Sequence, residues 1–203
     1  MFARTSPATD MLSLPAIRLA GTRVSLRPPR LTDWHEWAML RSHNSGFLKP
    51  WEPTWDANCL TEDYYDKRFR RQMREWRDDR SYPFLIVMND TDAIVGAINL
   101  NNVCRGAAQH ASLGYWIDED HQHHGYMTEA GRLVMSHAFT ELKLHRLNAG
   151  CLPENVKSRS MLSRLGFKEE GFAARYIKID GLWRDHVLYG LPIEEWESRD
   201  IMA

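Results

Sequence analysis

Apolar and polar positions along the first part of the chain change their period, and each period predicts an element. Residues 24–27 alternate apolar and polar side chains, which predicts a first strand. Residues 32–43 carry apolar side chains at helical spacing behind a threonine, which predicts a helix. A loop rich in large aromatic residues follows at residues 46–60, and the charged residues 61–80 predict a second, largely exposed helix.

The middle of the chain has the pattern of a strand, a helix and a second strand. Residues 112–117 predict a strand, residues 126–142 a helix with one apolar face, and residues 146–152 another extended segment. A crossover of this kind joins parallel strands, so the two strands are predicted to lie side by side in the same direction. A short helix that ends at Gly166 follows them.

Two hairpins complete the pattern. Apolar runs at residues 84–88 and 93–100 surround a polar turn, which predicts an antiparallel pair. Residues 172–179 and 182–189 surround Asp180-Gly181, the dipeptide typical of a two-residue type I′ turn. The elements together predict a mixed α/β sheet.

Length and composition favour one domain without a membrane span. The 203 residues contain no internal repeat, so we predict a single domain at residues 21–203 behind a flexible tail at residues 1–20. The first 15 residues lack the apolar core of a signal peptide, and Met11 stays open as an alternative start. No apolar run approaches the roughly 18 residues that a membrane helix needs.

Charge and cysteine content narrow the class of partner and the compartment. Lys and Arg number 26 against 27 Asp and Glu, so the chain lacks the overall positive charge that drives non-specific nucleic-acid binding. The three cysteines have neither CxxC spacing nor an even count, which favours a reducing compartment. We therefore expect a cytoplasmic protein.

The candidate chemistry begins at residues 122–127, where a predicted strand passes into a predicted helix. Free backbone N–H groups at the start of a helix bind anions, and Gly125 permits close approach of the backbone. The turn is therefore a candidate phosphate site, although a glycine is also common in turns that bind nothing. His121, His123 and His124 lack the spacing of a metal site, so we expect no metal and predict hydrogen bonds to phosphate.

The sequence around this turn resembles the acetyl-CoA signature of the GNAT superfamily of N-acetyltransferases, over nearly the whole chain. The similar segments are Leu113-Gly114-Tyr115-Trp116-Ile117, Gln122-x-x-Gly125-x-Met127, Glu129-Ala130, Asn155-Val156-Lys157-Ser158, Leu165-Gly166-Phe167 and Glu170-Gly171. Met127 departs from the general pattern, which has Gly or Ala there. Residues 48–53 and 180–186 resemble the branch that acetylates the alanine terminus of ribosomal proteins.

The resemblance implies a fold, a cosubstrate and an acceptor. The fold is a mixed, mostly antiparallel α/β (α+β) sheet of about seven strands with about four helices, whose central parallel strands splay to hold acetyl-CoA. The implied cofactor contacts are Trp116, Ile117, Gln122, His123, His124, Gly125, Tyr126, Met127, Asn155 and Ser158. The implied acceptor is a protein N-terminus, expected on a ribosomal protein, with ribosome association open and a monomer or homodimer expected.

Acetyl transfer needs a neutral amine and a hydrogen-bond donor for the departing sulfur. Residues 111–114, where the family often places a base, contain no carboxylate. An α-amine, with a reference pKa of about 7.7 to 8.0, is partly neutral near pH 7, whereas lysine is not, so weak base equipment favours an α-amine. Glu52 is our candidate base or amine anchor, and the resemblance to the family implies Ser158 as the candidate donor. A solvated carboxylate and a serine that caps its own helix are the alternatives.

Several interpretations stay open. Trp51, Glu52 and Asp180 are predicted acceptor contacts, and the aromatic loop either walls the acceptor channel or covers the sheet. The basic residues between 67 and 80 are expected to form a solvated helix face, or to approach phosphate if the acceptor is associated with RNA. Small-molecule amines such as aminoglycosides or polyamines are alternative acceptors. A non-catalytic module that binds acyl-CoA or ribosomes is the alternative to an enzyme.

Overall fold

The computed structural model describes the backbone of residues 16–200 and the side chains of residues 16–198. Most of the predicted tail, including Met11, lies outside these residues. Eight strands are described: β1 (Leu19–Ala20), β2 (Val24–Arg27), β3 (Tyr82–Met88), β4 (Ile94–Cys104), β5 (His110–Ile117), β6 (Arg146–Cys151), β7 (Lys168–Ile179) and β8 (Leu182–Pro192). Six α-helices are described: α1 (Trp34–His43), α2 (Ser45–Leu48), α3 (Glu62–Arg77), α4 (Tyr126–Thr140), α5 (Val156–Leu165) and α6 (Ile193–Asp200).

The strands form one sheet in the order β1-β2-β3-β4-β5-β6-β8-β7. Neighbours are antiparallel except β5 and β6, which are parallel and are joined by α4. The predicted crossover and the mixed, mostly antiparallel sheet are therefore confirmed, with one strand and two helices more than expected. The extra strand is β1, which lies within the predicted tail and pairs with β2.

The sheet separates two apolar layers. On one face, α4 packs Ala130, Val134 and Ala138, all fully buried, against the strands. On the other face, α1 and α3 pack around Trp37 and Phe69. Alternate residues of a strand point to opposite faces, so each strand supplies both layers. Helix α3 is less exposed than its charge predicted, because its apolar residues recur every four positions and form a buried stripe.

Strands β5 and β6 share only a short stretch of pairing. Their partners are His110 with Arg146, Ala111 with Leu147, and Ser112 with Asn148. Strand β5 then continues to residue 117 and β6 to residue 151 without further pairs between them. The two strands therefore diverge after Ser112, which confirms the predicted splay.

The terminal hairpin has the predicted turn. Asp180 and Gly181 have φ angles of 44° and 80°, as a type I′ turn requires at both central positions. Strands β7 and β8 pair on either side of it, with Ile179 opposite Leu182. In the described part of the chain, none of the helices has both the length and the apolar character needed to cross a membrane.

Candidate active site

The turn at residues 122–127 ends in a left-handed backbone conformation and opens α4. His123 and Gly125 have positive φ angles of 63° and 81°, and Gly125 is the residue that precedes the helix. The first amide groups of an α-helix have no acceptor within the helix, so those at the start of α4 are free to bind an anion. The predicted phosphate turn therefore has the backbone geometry that its function requires.

An arginine from the turn between β1 and β2 holds this segment in place. The side chain of Arg23 donates a hydrogen bond to the carbonyl oxygen of His124 at 2.7 Å and another to Glu129 at 2.9 Å. Its backbone N–H also donates to Glu129, at 2.7 Å. Burial alone would raise the pKa of Glu129, but the hydrogen bonds from Arg23 and Val24 outweigh it and lower the pKa. Glu129 is therefore an ionised brace behind the turn.

Two cations adjoin the turn that our sequence analysis did not assign to the phosphate site. The guanidinium of Arg23 lies 5.0 Å from the ring centre of Tyr126, and Lys157 donates a hydrogen bond to the Gln122 side chain at 2.8 Å. Lys157 lies inside the segment that resembles the family, so its signal was available. Arg23 had none, because its partner Glu129 is 106 residues away. Both cations favour bound phosphate.

The three histidines separate into two environments. His123 and His124 are exposed, and the His124 ring lies 5.6 Å from that of Tyr126, beside the phosphate turn. His121 instead bonds through Nδ1 to the buried carboxylate of Asp118 at 2.6 Å. The atoms of His43, Asp118 and Asp120 that could act as metal ligands lie within 4.8 Å of one another. Asp118 also accepts a hydrogen bond from Asn44, so its carboxylate already serves the folding of this segment.

The open end of the splay holds a pair of hydroxyl groups. Asn155 accepts a hydrogen bond from the backbone N–H of Ser158 at 3.0 Å and so fixes the first turn of α5. The hydroxyls of Ser158 and Tyr115 share a hydrogen bond of 2.6 Å. Burial raises the pKa of Tyr115, which therefore stays protonated. Burial likewise raises the pKa of the Cys151 thiol at the end of β6.

Tyr115 is a candidate functional residue that our sequence analysis missed. It lies in the strand segment that resembles the family, between Gly114 and Trp116. Because side chains alternate along a strand, Tyr115 points to the face of α4 and α5 while Trp116 points to the face of α1. That alternation was the available signal. It also means that Trp116 would contact a cofactor in the splay through its backbone, with its side chain on the opposite face.

Glu52, the candidate base, is held in an ion pair. Its two carboxylate oxygens accept hydrogen bonds from Arg41 at 2.7 and 2.6 Å, and Trp55 donates to one of them at 2.7 Å. The Arg41 guanidinium also lies over the ring of Trp116, at 5.1 Å from its centre. These three hydrogen bonds occupy most of the roughly four lone-pair positions of the carboxylate, so little of its accepting capacity is left for an amine proton. The geometry therefore favours the anchoring role of Glu52 over the role of base.

The predicted acceptor contacts lie together. The backbone N–H of Asp180, at the tip of the β7–β8 hairpin, donates to the carbonyl oxygen of Glu52 at 3.0 Å. Trp51 ends a 3₁₀ turn and is half-buried. The segment that we predicted as a loop therefore begins with α2 and this 3₁₀ turn, because its residues form local backbone hydrogen bonds. The hairpin tip and the aromatic segment are therefore in contact.

Known proteins share this arrangement. A family model described as the acetyltransferase (GNAT) domain matches residues 23–168. The probable N-acetyltransferase YjcK of Bacillus subtilis is 38% identical over 168 residues, which are 83% of this chain and 93% of that protein. The [ribosomal protein uS5]-alanine N-acetyltransferase of Escherichia coli is 33% identical over 184 residues, 91% of this chain and 95% of that protein.

A solved structure agrees with these relatives. Mycobacterium smegmatis RimJ in complex with CoA-disulfide superimposes with a TM-score of 0.81 at 35% identity, over 85% of this chain and 83% of that one. On the strength of the family match and of these relatives, the chain belongs to the GNAT family of acetyltransferases and is an acetyl-CoA-dependent N-acetyltransferase.

Proposed function

We propose that this enzyme transfers the acetyl group of acetyl-CoA to the N-terminal α-amine of a protein, with the alanine terminus of a ribosomal protein as the expected acceptor. The observation that carries the proposal is the engagement of Glu52 by Arg41 and Trp55. A site whose candidate base is bound suits an amine that is already partly neutral near pH 7, and an α-amine meets that condition better than lysine. Similarity to the Escherichia coli enzyme supports the alanine terminus.

The donor site is assigned to the turn and the splay. The free amides at the start of α4, with Arg23 and Lys157 beside them, fit the pyrophosphate of acetyl-CoA. The unpaired edges of β5 and β6 fit its pantetheine amides, with the backbone of Trp116 and Ile117 on one side and Asn155 on the other. The remaining predicted contacts, Gln122 to Met127, follow from the position of the turn.

In this mechanism the protein contributes mainly by positioning the amine and the thioester. The amine nitrogen attacks the thioester carbonyl carbon, the C–N bond forms, the C–S bond breaks, and the amine proton passes to solvent. The sulfur leaves beside Ser158, whose hydroxyl is oriented by Tyr115. Hydroxyl groups are weaker acids than a thiol, with its pKa of about 8.5, so this pair donates a hydrogen bond to the sulfur while water supplies the proton.

The charge of the acceptor side argues against polycationic substrates. Arg41 and Arg68 both lie over the ring of Trp37, at 5.7 and 5.6 Å from its centre. An aminoglycoside or polyamine would bring further positive charge to these guanidinium groups. A peptide N-terminus brings a single amine, which fits the site better. A ribosomal acceptor would place the reaction in the cytoplasm, with ribosome contact and a monomer or homodimer as further expectations.

An acceptor panel tests the proposal. Release of the CoA thiol is measured with hexapeptides that begin with Ala, Ser, Gly or Met, with an N-terminally blocked lysine peptide, and with spermidine and kanamycin as free amines. We expect kcat/KM for the alanine peptide to exceed that for the lysine peptide and the free amines by at least about tenfold, a difference of about 1.4 kcal/mol. Equal rates for all acceptors, or faster reaction of a free amine, would contradict the proposal.

Binding of acetyl-CoA without turnover of any acceptor would instead support a non-catalytic module. Calorimetry with acetyl-CoA measures that binding separately from the thiol-release assay.

A further inference from the structure

Arg68 is a cation on the acceptor side without a counter-ion. It extends from α3, and its guanidinium lies 5.6 Å from the ring centre of Trp37. Some neighbouring arginines are paired, Arg70 with Asp66 at 2.8 Å and Arg41 with Glu52 at 2.6 Å, whereas the exposed Arg74, like Arg68, has no ion pair among residues 16–198. Among residues 16–198, Arg68 has neither an ion pair nor a side-chain hydrogen bond. No described residue therefore neutralises the charge of Arg68, so an anion from another molecule is free to pair with it.

Arg68 lies near the part of the sheet where the reaction is proposed to take place. It lines a small depression with residues of α1, α3, β3 and β4, among them Ala97 and Asn99. Ala97 pairs with Trp116, and Asn99 pairs with Gly114, so this lining adjoins the part of β5 that diverges from β6. The depression is therefore near the strand edge that is proposed to hold the pantetheine of acetyl-CoA.

The depression lies on the face of the sheet opposite to the phosphate turn. Helix α3 packs with Leu85 and Val87 of β3, whereas α4 packs with Phe84 and Ile86 of the same strand. Successive residues of a strand point to opposite faces. The phosphates of acetyl-CoA at the start of α4 would therefore be separated from Arg68 by the sheet. The acceptor is then the substrate that could bring an anion to Arg68.

The electrostatic environment favours such an anion. Arg68 is half-buried, and its neighbours include the charges of Arg41 and Arg71. Burial lowers the pKa of Arg68, and these two arginines lower it further, so the charged form is destabilised by its surroundings. A carboxylate would relieve that cost and form charge-assisted hydrogen bonds with a guanidinium whose donors are free.

We propose that Arg68 binds an acidic side chain of the acceptor polypeptide, a few residues after the terminus that is acetylated. The inference rests on the proposed function, since it assumes a polypeptide acceptor. It makes Arg68 a specificity-determining residue: it selects among N-termini by a charge that takes no part in bond formation.

The test uses alanine-terminated hexapeptides with one Glu at positions two to six, which spans roughly 16 Å of extended chain, and matched peptides with Gln. We expect the wild-type enzyme to prefer Glu over Gln by about tenfold in kcat/KM at one or two positions, mainly through KM. In Arg68→Gln the ratio falls to about one. Arg74→Gln is the matched control, because Arg74 is an exposed arginine of the same helix, and it keeps the preference.

Charge reversal guards against a variant that only misfolds. Arg68→Glu should prefer a Lys peptide over a Glu peptide at the same position, while its KM for acetyl-CoA stays that of the wild type. Equal acetylation of Glu and Gln peptides by the wild type would overturn the inference and leave the proposed function intact, as would a preference that persists in Arg68→Gln. Acetylation of free amines alone would overturn both.

Discussion

Single side chains in this enzyme act through partners from other elements. Two contacts orient Ser158: its backbone N–H donates to the side-chain oxygen of Asn155, and its hydroxyl shares a hydrogen bond with the hydroxyl of Tyr115. Such a serine keeps one orientation before the substrate arrives, which reduces the reorganisation needed as the sulfur leaves. The assignment of Ser158 therefore depends on Tyr115 as much as on its place in the helix.

Removal of the Ser158 hydroxyl tests this assignment. We expect Ser158→Ala to lower kcat by about tenfold to a hundredfold, while KM for acetyl-CoA changes little. This loss is at or just below the lower end of the rate contribution that acid–base groups make. Steady-state kinetics with the preferred peptide measure the effect. Ser160→Ala, at an exposed position of the same helix, is the control and should retain wild-type kcat. A Ser158→Ala enzyme with unchanged kcat would assign this serine to helix capping alone.

The buried His137 is expected to make the stability of the fold depend on pH. It is buried in α4 beside the rings of Tyr82 and Phe84, and neither ring nitrogen has a hydrogen-bond partner within residues 16–198. Burial lowers the pKa of His137, so the folded state holds the neutral form. The unfolded chain binds a proton near the reference pKa of about 6.5. The contribution to stability is therefore complete above that pH and is lost as the pH falls below it.

The consequence is measured as the melting temperature at pH 7.5 and at pH 5.5. We expect His137→Leu to lose less stability between the two values than the wild type, because it has no imidazole to protonate. His35→Gln, which changes an exposed histidine, should behave like the wild type. An identical loss in His137→Leu and the wild type would show that other groups govern acid stability.

At the scale of elements, the phosphate turn is a joint between β5, α4 and the β1–β2 turn. Gly125 has a φ of 81°, and a Cβ atom there would lie 3.3 Å from the Arg23 guanidinium. The left-handed conformation costs a non-glycine residue on the order of 1 kcal/mol, and a shifted Arg23 would loosen the carbonyl of His124.

We expect Gly125→Ala to raise KM for acetyl-CoA by about tenfold, since about 1.4 kcal/mol of lost binding corresponds to that factor. The KM for the acceptor peptide should stay within about twofold. Gly46→Ala is the control, because a Cβ at Gly46 meets no atom within 4 Å and the residue lies in a short helix. An acetyl-CoA KM equal to that of the wild type would contradict the role of the turn.

Elements whose signals are local could be predicted from the sequence. The Asp180-Gly181 turn, the crossover through α4 and the end of α5 at Gly166 each depend on residues that are near in the chain. Contacts between distant segments could not be predicted from the sequence. Arg23 with Glu129, Tyr115 with Ser158, and Glu52 with Asp180 join positions separated by 43 to 128 residues, and no period or turn signal encodes such a pair.

The same limit explains the partial success at the site. The candidate cofactor turn could be proposed from the sequence because one continuous segment carries it. The aromatic segment was predicted as a loop, since Pro50 and Pro53 interrupt its pattern, and the ion pair that engages Glu52 comes from α1. The charge of a candidate base is visible in a sequence, whereas its partner is not.

At the scale of the whole molecule, the sheet would separate the two substrates at the sites proposed for them. The phosphate turn lies on the face of α4, whereas Arg41, Trp37 and Arg68 lie on the face of α1 and α3. The two faces communicate at the splay, where the sheet is open. On this proposal each substrate is recognised by its own residues. A substitution on the face of α4 should change the KM for acetyl-CoA, and one on the face of α1 and α3 should change the KM for the acceptor.

The short pairing of β5 with β6 has a further consequence for the catalytic cycle. Within the sheet, strands β1 to β5 are connected to β6, β8 and β7 by three residue pairs only. A donor whose amides bond to both free edges would act as a temporary additional strand between them. The enzyme would then be most cohesive when it carries acetyl-CoA and least cohesive after CoA has left, so that each turnover includes a loosening and a restoration of the sheet itself.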